Sequence, residues 1–417
     1  MMSDVAPPLP APAVGSRGAR LIFWLGVIPV AALAVWIYAR LIGVFLHDPT
    51  RHVDRLALFW AWSDFLHTGH AATGLYDPNR LFHFVRSRLR PDAHFLPFAY
   101  PPTLLLLIWP LAAVTSPWGL LGWLGIGLAA LVWASRERSA PALSVFMAFA
   151  APSTLVALWY GQVSLLVAGC LIGAWRILPR RPVLAGVLFG IAAVKPQFGL
   201  LVPVALIAAR EWRCLIAATA TVALSVATSG LVFGWTCWAL LPGAMAGLSR
   251  FVAGFPEIAR YDPTVTPALH LLGVPAVLAQ AVQLAVIMPV AWAIWRVFRR
   301  GVTPLGVALL MAGTFLTTPY AVFYDLPLAT AASVALIAAL RTAGERMGVN
   351  ERAVTAAVVL LPVLLILNPY IVAWGVAVPA ALFVSILRRI RTAPRSAPLH
   401  PAGSPPPPAP AAALASS

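Results

Sequence analysis

The chain has 417 residues, of which 61% are hydrophobic and only 10% charged, with a mean hydropathy of +0.87. A soluble domain carries about a quarter charged residues, so this composition excludes one. It calls for an all-α, polytopic membrane protein with many runs of the roughly 20 apolar residues that a spanning helix needs. The net charge of +16 does not point to nucleic acid, because arginines recur in short clusters at the ends of apolar runs: Arg17/Arg20, Arg136/Arg138, Arg176/Arg180/Arg181, Arg296/Arg299/Arg300 and Arg388/Arg389/Arg391. That placement is the footprint of positive-inside topology and of anionic lipid headgroups.

In chain order, residues 1–19 are rich in Pro and Ala, and are expected to be disordered in the cytoplasm. The apolar run over 21–46 is too long for a signal-peptide core of roughly 7–15 residues, and is read as an uncleaved first span. Residues 47–98 are the longest polar segment, expected to face the periplasm or exterior. They hold Asp48, Asp54, Asp64, Asp77 and Asp92, and also His47, His52, His67, His70, His83 and His94. Within them Phe59, Trp60, Phe65 and Leu66 predict a helix lying in the membrane interface, aromatic side down.

Apolar helices are then predicted at 100–115, 118–135, 141–158, 161–178, 183–209, 214–234, 275–298, 302–318, 325–341, 352–368 and 371–388, giving about 10–12 spans. The run over 183–209 has arginines at both ends and Lys195-Pro196 at its centre, which predicts a bent or re-entrant pair of half-helices. Residues 394–417 are Pro-rich and of low complexity, and are expected to be a disordered tail. The membrane domain is thus 20–393. Positive-inside counting puts both termini in the cytoplasm and fits the last four spans. Strict alternation places Arg136 and Arg138 outside if 100–115 and 118–135 both cross. Cys170, Cys214 and Cys237 lie in or beside apolar segments, with no disulfide or zinc pattern.

Several side chains are candidates for chemistry. Asp54 stands outside the first span, beside Phe59, Trp60 and Trp62, where a carboxylate between water and an apolar wall can act as a general base. The ordinary reading of such a residue is a solvated loop acid. Lys195 is the sole lysine of the chain. A cation at membrane depth is costly and needs a cavity or a partner, and a compact ammonium suits a phosphate. Its ordinary reading is a snorkelling or structurally paired lysine. Tyr100, Gln162, Tyr320, Tyr324 and Asp325 each lie next to Pro or Gly at the edge of a span, and are expected to converge on one outward-facing cavity with Gln197. Singly, each reads as an interfacial anchor or a helix cap. His67 and His70 share a helix spacing, but without a third ligand they make a weak metal signal. The chain has no P-loop, no GxGxxG before a helix, no GxSxG and no Asp-x-Asp.

Five stretches together resemble glycosyltransferase family 87, polytopic enzymes of the GT-C architecture. They are Asp54 with Phe59-Trp60-Ala61, Ser63, Gly69 and Tyr76-Asp77; YPPTLLLL (100–107); GQVSLLVAG (161–169); RRPVLAGVLFGIAAVKPQFGLLVPVALIAAREWR (180–213); and TTPYAVFYDLPL (317–328). The 180–213 block is the most specific. The resemblance implies an inverting transfer of a hexose, with mannose expected, from a polyprenyl-phosphate-sugar to a glycolipid or glycan acceptor at the periplasmic face of the plasma membrane. It implies Asp54 as the base; with a phosphate-bearing donor, Lys195 and either Tyr100 or an arginine of the first loop are expected to hold the phosphate. Asp64, Gln162, Gln197, Tyr320, Tyr324 and Asp325 fall to the cavity lining or the acceptor. No metal and no resident cofactor are implied, since the lipid-linked sugar is a substrate. A carrier or flippase for polyprenyl-linked glycan, or a glycan ligase, shares the span count and the basic rims. A transporter usually carries internal repeats, and none is visible here.

Overall fold

The computed structural model describes residues 28, 30–40, 42–43, 57–89, 96–115, 118–254, 261–367 and 375–392. The expected disordered ends at 1–19 and 394–417 lie outside these residues, as do Asp48, Asp54, Asp92, His47, His52 and His94.

Among the described residues the regular structure is helical, and no strand forms. The helices are α1 Val30–Arg40, α2 Leu58–His67, α3 Pro78–Arg88, α4 Thr103–Ile108, α5 Trp118–Ser135 and α6 Pro141–Ala150. Then come α7 Pro152–Trp159, α8 Ser164–Ile177, α9 Pro182–Ala192, α10 Leu201–Ala209, α11 Trp212–Phe233 and α12 Thr236–Gly254. The last are α13 Val265–Leu271, α14 Ala276–Phe298, α15 Pro304–Thr317, α16 Pro327–Thr342, α17 Val349–Leu367 and α18 Ala377–Thr392. Five stretches are long and apolar enough to cross a membrane: α5, α6 with α7, α11, α14 and α17. Shorter apolar helices complete a polytopic helical bundle.

Proline punctuates this nearly uniform apolar chain. Pro78, Pro141, Pro152, Pro182, Pro304 and Pro327 each open a helix, where a missing N–H leaves nothing unpaired. Pro152 divides the stretch expected as one helix over 141–158. Ala151 before it is extended, with ψ 137, as a residue preceding proline prefers.

Glycine sets the helix pairing. On α9, Gly186 and Gly190 form a GxxxG pair. A Cβ on Gly186 would come within 2.4 Å of the Cys214 carbonyl, and one on Gly190 within 2.4 Å of Thr221 Cβ. Without side chains there, the two backbones pack closely. The contact advances in the same direction along both helices, so α9 and α11 run parallel. The chain between them must therefore return: α9 rises, the Lys195 segment turns, and α10 descends. The expected bend between two half-helices is present. A second GxxxG pair on α8 behaves alike. Gly169 meets Ala130 and Gly173 meets Trp133, while Gly127 meets Leu165, so α5 and α8 are also parallel.

Two expectations for the first loop change. Residues 100–115 do not cross as a span. Tyr100 packs on Phe59 and Trp62 of α2. At the other end, Ser63 of the same helix donates to the Trp109 carbonyl at 2.8 Å and accepts from Ala112 N at 3.0 Å. Both ends of the segment stay beside one ten-residue helix, about 15 Å long. The helix over 58–67 also faces differently from the interfacial reading. Phe59, Trp62 and Phe65 are fully buried, so its aromatic face is turned into the bundle.

With 100–115 folded back, the arginine loops fall at one end. Arg176 donates to the Arg136 carbonyl at 2.5 Å, and Ser139 to the Ala338 carbonyl at 2.9 Å. At the centre of the bundle, nearly every side chain of α15 and α16 is buried. The connection between these two helices carries residues 318–326.

Candidate functional site

The site begins where α9 fails to continue. Its last carbonyls accept from Ala193, Val194 and Lys195 N–H in tight turns. Pro196 has no N–H to offer, and a short 3-10 turn over Pro196–Gly199 leads into α10. This break leaves the Lys195 side chain inside the bundle, 4% exposed.

An ammonium there needs partners, and two other segments supply them. Lys195 Nζ donates to Asp325 Oδ1 at 2.5 Å and to Ser164 Oγ at 3.1 Å. The Ser164 hydroxyl donates in turn to the same carboxylate oxygen. Asp325 Oδ2 accepts from Val322 N at 3.1 Å. The ammonium lies 5.2 Å from the Tyr324 ring centroid and 5.5 Å from that of Phe198. Ser164 opens α8 after a tight reversal in which Gly161 has φ 61. There Gln162 N bonds Ala157 O and Gly161 N bonds Leu158 O, a Schellman closure of α7 that favours glycine at its left-handed position.

A ring of polar side chains surrounds this group. Tyr100 donates to Gln162 Oε1 at 3.3 Å, and Gln162 Nε2 to the Tyr160 carbonyl at 3.4 Å. The Gln197 side chain lies beside the Tyr320 hydroxyl. Tyr160 packs on Phe323 and Tyr324. Burial holds the Tyr100 and Tyr324 phenols well above the ordinary value, and lifts Tyr320 to about 12. These hydroxyls are therefore protonated donors near neutral pH, which suits an anionic ligand. The structure thus brings Tyr100, Gln162, Lys195, Gln197, Tyr320, Tyr324 and Asp325 into one neighbourhood.

Sequence reasoning passed over Ser164 and Asp262. Ser164 stands in a quoted motif without a role. Asp262 is 6% exposed and accepts from Thr264 N, Thr264 Oγ1 and Ala321 N. Its burial pushes the carboxyl up to about 8.

The first loop reaches this neighbourhood through aromatic packing of Phe59, Trp62 and Phe98 against Tyr100. Asp64 is not among the polar ring. Its carboxylate receives Arg88 Nε at 2.6 Å, which ties α2 to α3. His67 stacks on Trp109 and His70 on Phe65. Among the described residues no three His, Cys, Asp or Glu side chains gather as metal ligands. Asp54 lies outside the described residues, just upstream of buried Ala57.

A family model described as Glycosyltransferase family 87 matches residues 98–319, just over half of the chain. The match includes Tyr100, Gln162, Ser164, Lys195, Gln197 and Asp262, and ends before Tyr320. No curated protein and no solved structure matches the chain.

Proposed function

Because the chain belongs to glycosyltransferase family 87, we propose that this membrane glycosyltransferase moves a hexose, mannose first, from a polyprenyl-phosphate-sugar to a hydroxyl of a lipid or glycan acceptor at the periplasmic face of the plasma membrane. The observation that supports a phosphate-bearing donor is the buried group of Lys195, Asp325 and Ser164, ringed by tyrosine hydroxyls that remain protonated. An ammonium has three donors. Asp325 and Ser164 take two of them, and the third is the one assigned to a phosphate oxygen, together with Tyr100. Gln162, Gln197, Tyr320, Tyr324 and Asp325 serve the cavity lining or the acceptor, while Asp64, paired with Arg88, braces α2 against α3.

The acceptor hydroxyl oxygen attacks the anomeric carbon from the face opposite the phosphate. The bond from that carbon to the phosphate oxygen breaks, and its electron pair leaves with the phosphate monoester. The configuration inverts. Asp54 takes the hydroxyl proton. The protein's main contribution is electrostatic, because donors fixed around the departing phosphate stabilise charge that grows in the transition state.

The test is transfer from radiolabelled polyprenyl-phosphate-mannose to a membrane-lipid extract, with purified protein in nanodiscs. Wild type yields a labelled product. Asp54→Asn loses at least about a hundredfold in rate, the usual worth of a general base, while still binding donor. Equal rates for the two place the base elsewhere. Donor binding without transfer from any polyprenyl-phosphate sugar supports a carrier instead.

A further inference from the structure

We propose that Asp262 is a positioning residue for glycosyl transfer: its side-chain carboxyl group anchors Ala321, and so fixes the strap that carries Tyr320, Tyr324 and Asp325. The inference rests on the reading of that strap as part of the donor site.

The chain contains a natural comparison. Tyr76-Asp77-Pro78-Asn79 and Tyr261-Asp262-Pro263-Thr264 share a local pattern. Asp77 does what such an aspartate does by default. It is exposed, and accepts from Asn79 N and Arg80 N at the start of α3. Asp262 makes the same kind of local turn, with Thr264 N at 3.1 Å and Thr264 Oγ1 at 2.6 Å. It also does more. Both its oxygens face Ala321 N at 3.2 Å, across 59 positions of sequence. A turn aspartate that served only its own loop would not need burial, nor this partner.

The strap depends on such an anchor. Residues 318–322 belong to no helix, so their N–H groups must find partners one by one. Thr318 N still reaches back to Thr314 O of α15. Val322 N goes to Asp325 within the strap. The two that reach outward both go to the 261–262 segment: Ala321 N to Asp262, and Phe323 N to the Tyr261 carbonyl at 2.9 Å. The Tyr261 and Phe323 rings add a contact at 4.9 Å. Ala321 is fully buried, so without the Asp262 side chain its N–H loses its acceptor inside the protein, at the cost of an unsatisfied buried donor. Tyr320 precedes it and Tyr324-Asp325 follow, so movement at Ala321 displaces both sides of the site. A shift of about 1 Å in such a group is worth about a hundredfold in rate.

The experiment compares Asp262→Ala, Asp262→Asn, Asp262→Glu and Asp325→Asn in the nanodisc transfer assay, with rates normalised to monodisperse protein. It also follows deuterium exchange of the peptide containing Ala321, which needs no turnover. Asparagine keeps an oxygen for Ala321 N. It is expected to stay within about threefold of the wild-type rate and to protect the peptide. Alanine and glutamate are expected to lower kcat about ten- to a hundredfold and to speed exchange at Ala321. The glutamate variant decides if alanine does not fold. If Asp262→Glu exchanges and turns over like wild type, or if Asp262→Asn is as impaired as Asp262→Ala, the positioning role is overturned. If Asp325→Asn itself transfers at the wild-type rate, the reading of the strap as donor site fails first, and the Asp262 proposal with it. An inactive Asp325→Asn beside normal Asp262→Ala and Asp262→Glu overturns only the Asp262 proposal.

Discussion

Lys195 carries a charge into an apolar interior, and Asp325 carries the opposite one to meet it. Neither is stable there alone. Removing one partner of a buried pair leaves an uncompensated charge, at a cost of about 3–5 kcal/mol, whereas replacing both by apolar residues is often close to neutral. Lys195→Met and Asp325→Leu are therefore each expected to lower the melting temperature of the detergent-purified protein markedly, and the double variant to regain most of it. A second residue-scale prediction concerns Asp262, which Asp325 and Tyr320 face from the strap. Burial raises its carboxyl from 3.8 to about 8, so the folded state binds the proton more tightly than the unfolded one. Its contribution to stability is complete below the unfolded value, declines as pH rises towards about 8, and is flat above. The wild-type melting temperature should fall across that window relative to Asp262→Asn; parallel curves would contradict it. Lys195 was legible because a lone lysine in an apolar run demands a reason. Asp262 was not, because Asp-Pro-Thr encodes a local turn as well as Asp-Pro-Asn does, and nothing in either tetrad announces a partner 59 positions away.

At the scale of the element, two GxxxG pairs hold α9 to α11 and α8 to α5 at distances that leave no room for a side chain. Gly186→Val and Gly190→Leu should each destabilise by about 1–3 kcal/mol through overpacking, read as a lower melting temperature. Gly199→Ala, where a Cβ meets nothing within 4 Å, should be far milder. Equal effects at the three positions would remove the packing argument. The break at Lys195-Pro196 could be read in the sequence, since polar residue and proline coincide there. The break before Pro152 lay in plain view too, but without a neighbouring charged residue to mark it, only the small hydroxyls of Ser153 and Thr154. Two other elements were misread or missed for one reason: hydropathy does not distinguish a side chain packed on lipid from one packed on protein. Residues 100–115 and the aromatic face of α2 are apolar because they bury each other. The helix Thr236–Gly254 escaped notice because Pro242, its glycines and Arg250 dilute its apolar signal.

For the whole molecule, the parallel pairing of α9 with α11 and of α5 with α8 places the loops after α5, after α8 and before α11 at a common end. This removes the conflict that strict alternation creates for Arg136 and Arg138. Single cysteines at Arg138, Arg180 and Arg213, in a background lacking Cys170, Cys214 and Cys237, should all react with a membrane-impermeant maleimide from the same side. Labelling of Arg180→Cys and Arg213→Cys from opposite sides would mean that 182–209 crosses outright. The bundle and the bent pair of half-helices were visible in composition and in one Lys-Pro step. The meeting of 161–166, 195–197 and 318–326 came from helix ends brought together by packing, which local sequence does not record. We propose that this meeting point holds the donor phosphate, beyond serving as an internal brace. The most direct test is the Lys195→Met/Asp325→Leu double variant, with donor binding and transfer from polyprenyl-phosphate-mannose measured on protein shown to be folded. If the phosphate binds there, the double variant is stable, binds donor at least about tenfold more weakly and does not transfer; a stable double variant with wild-type affinity and turnover would make the pair a brace alone.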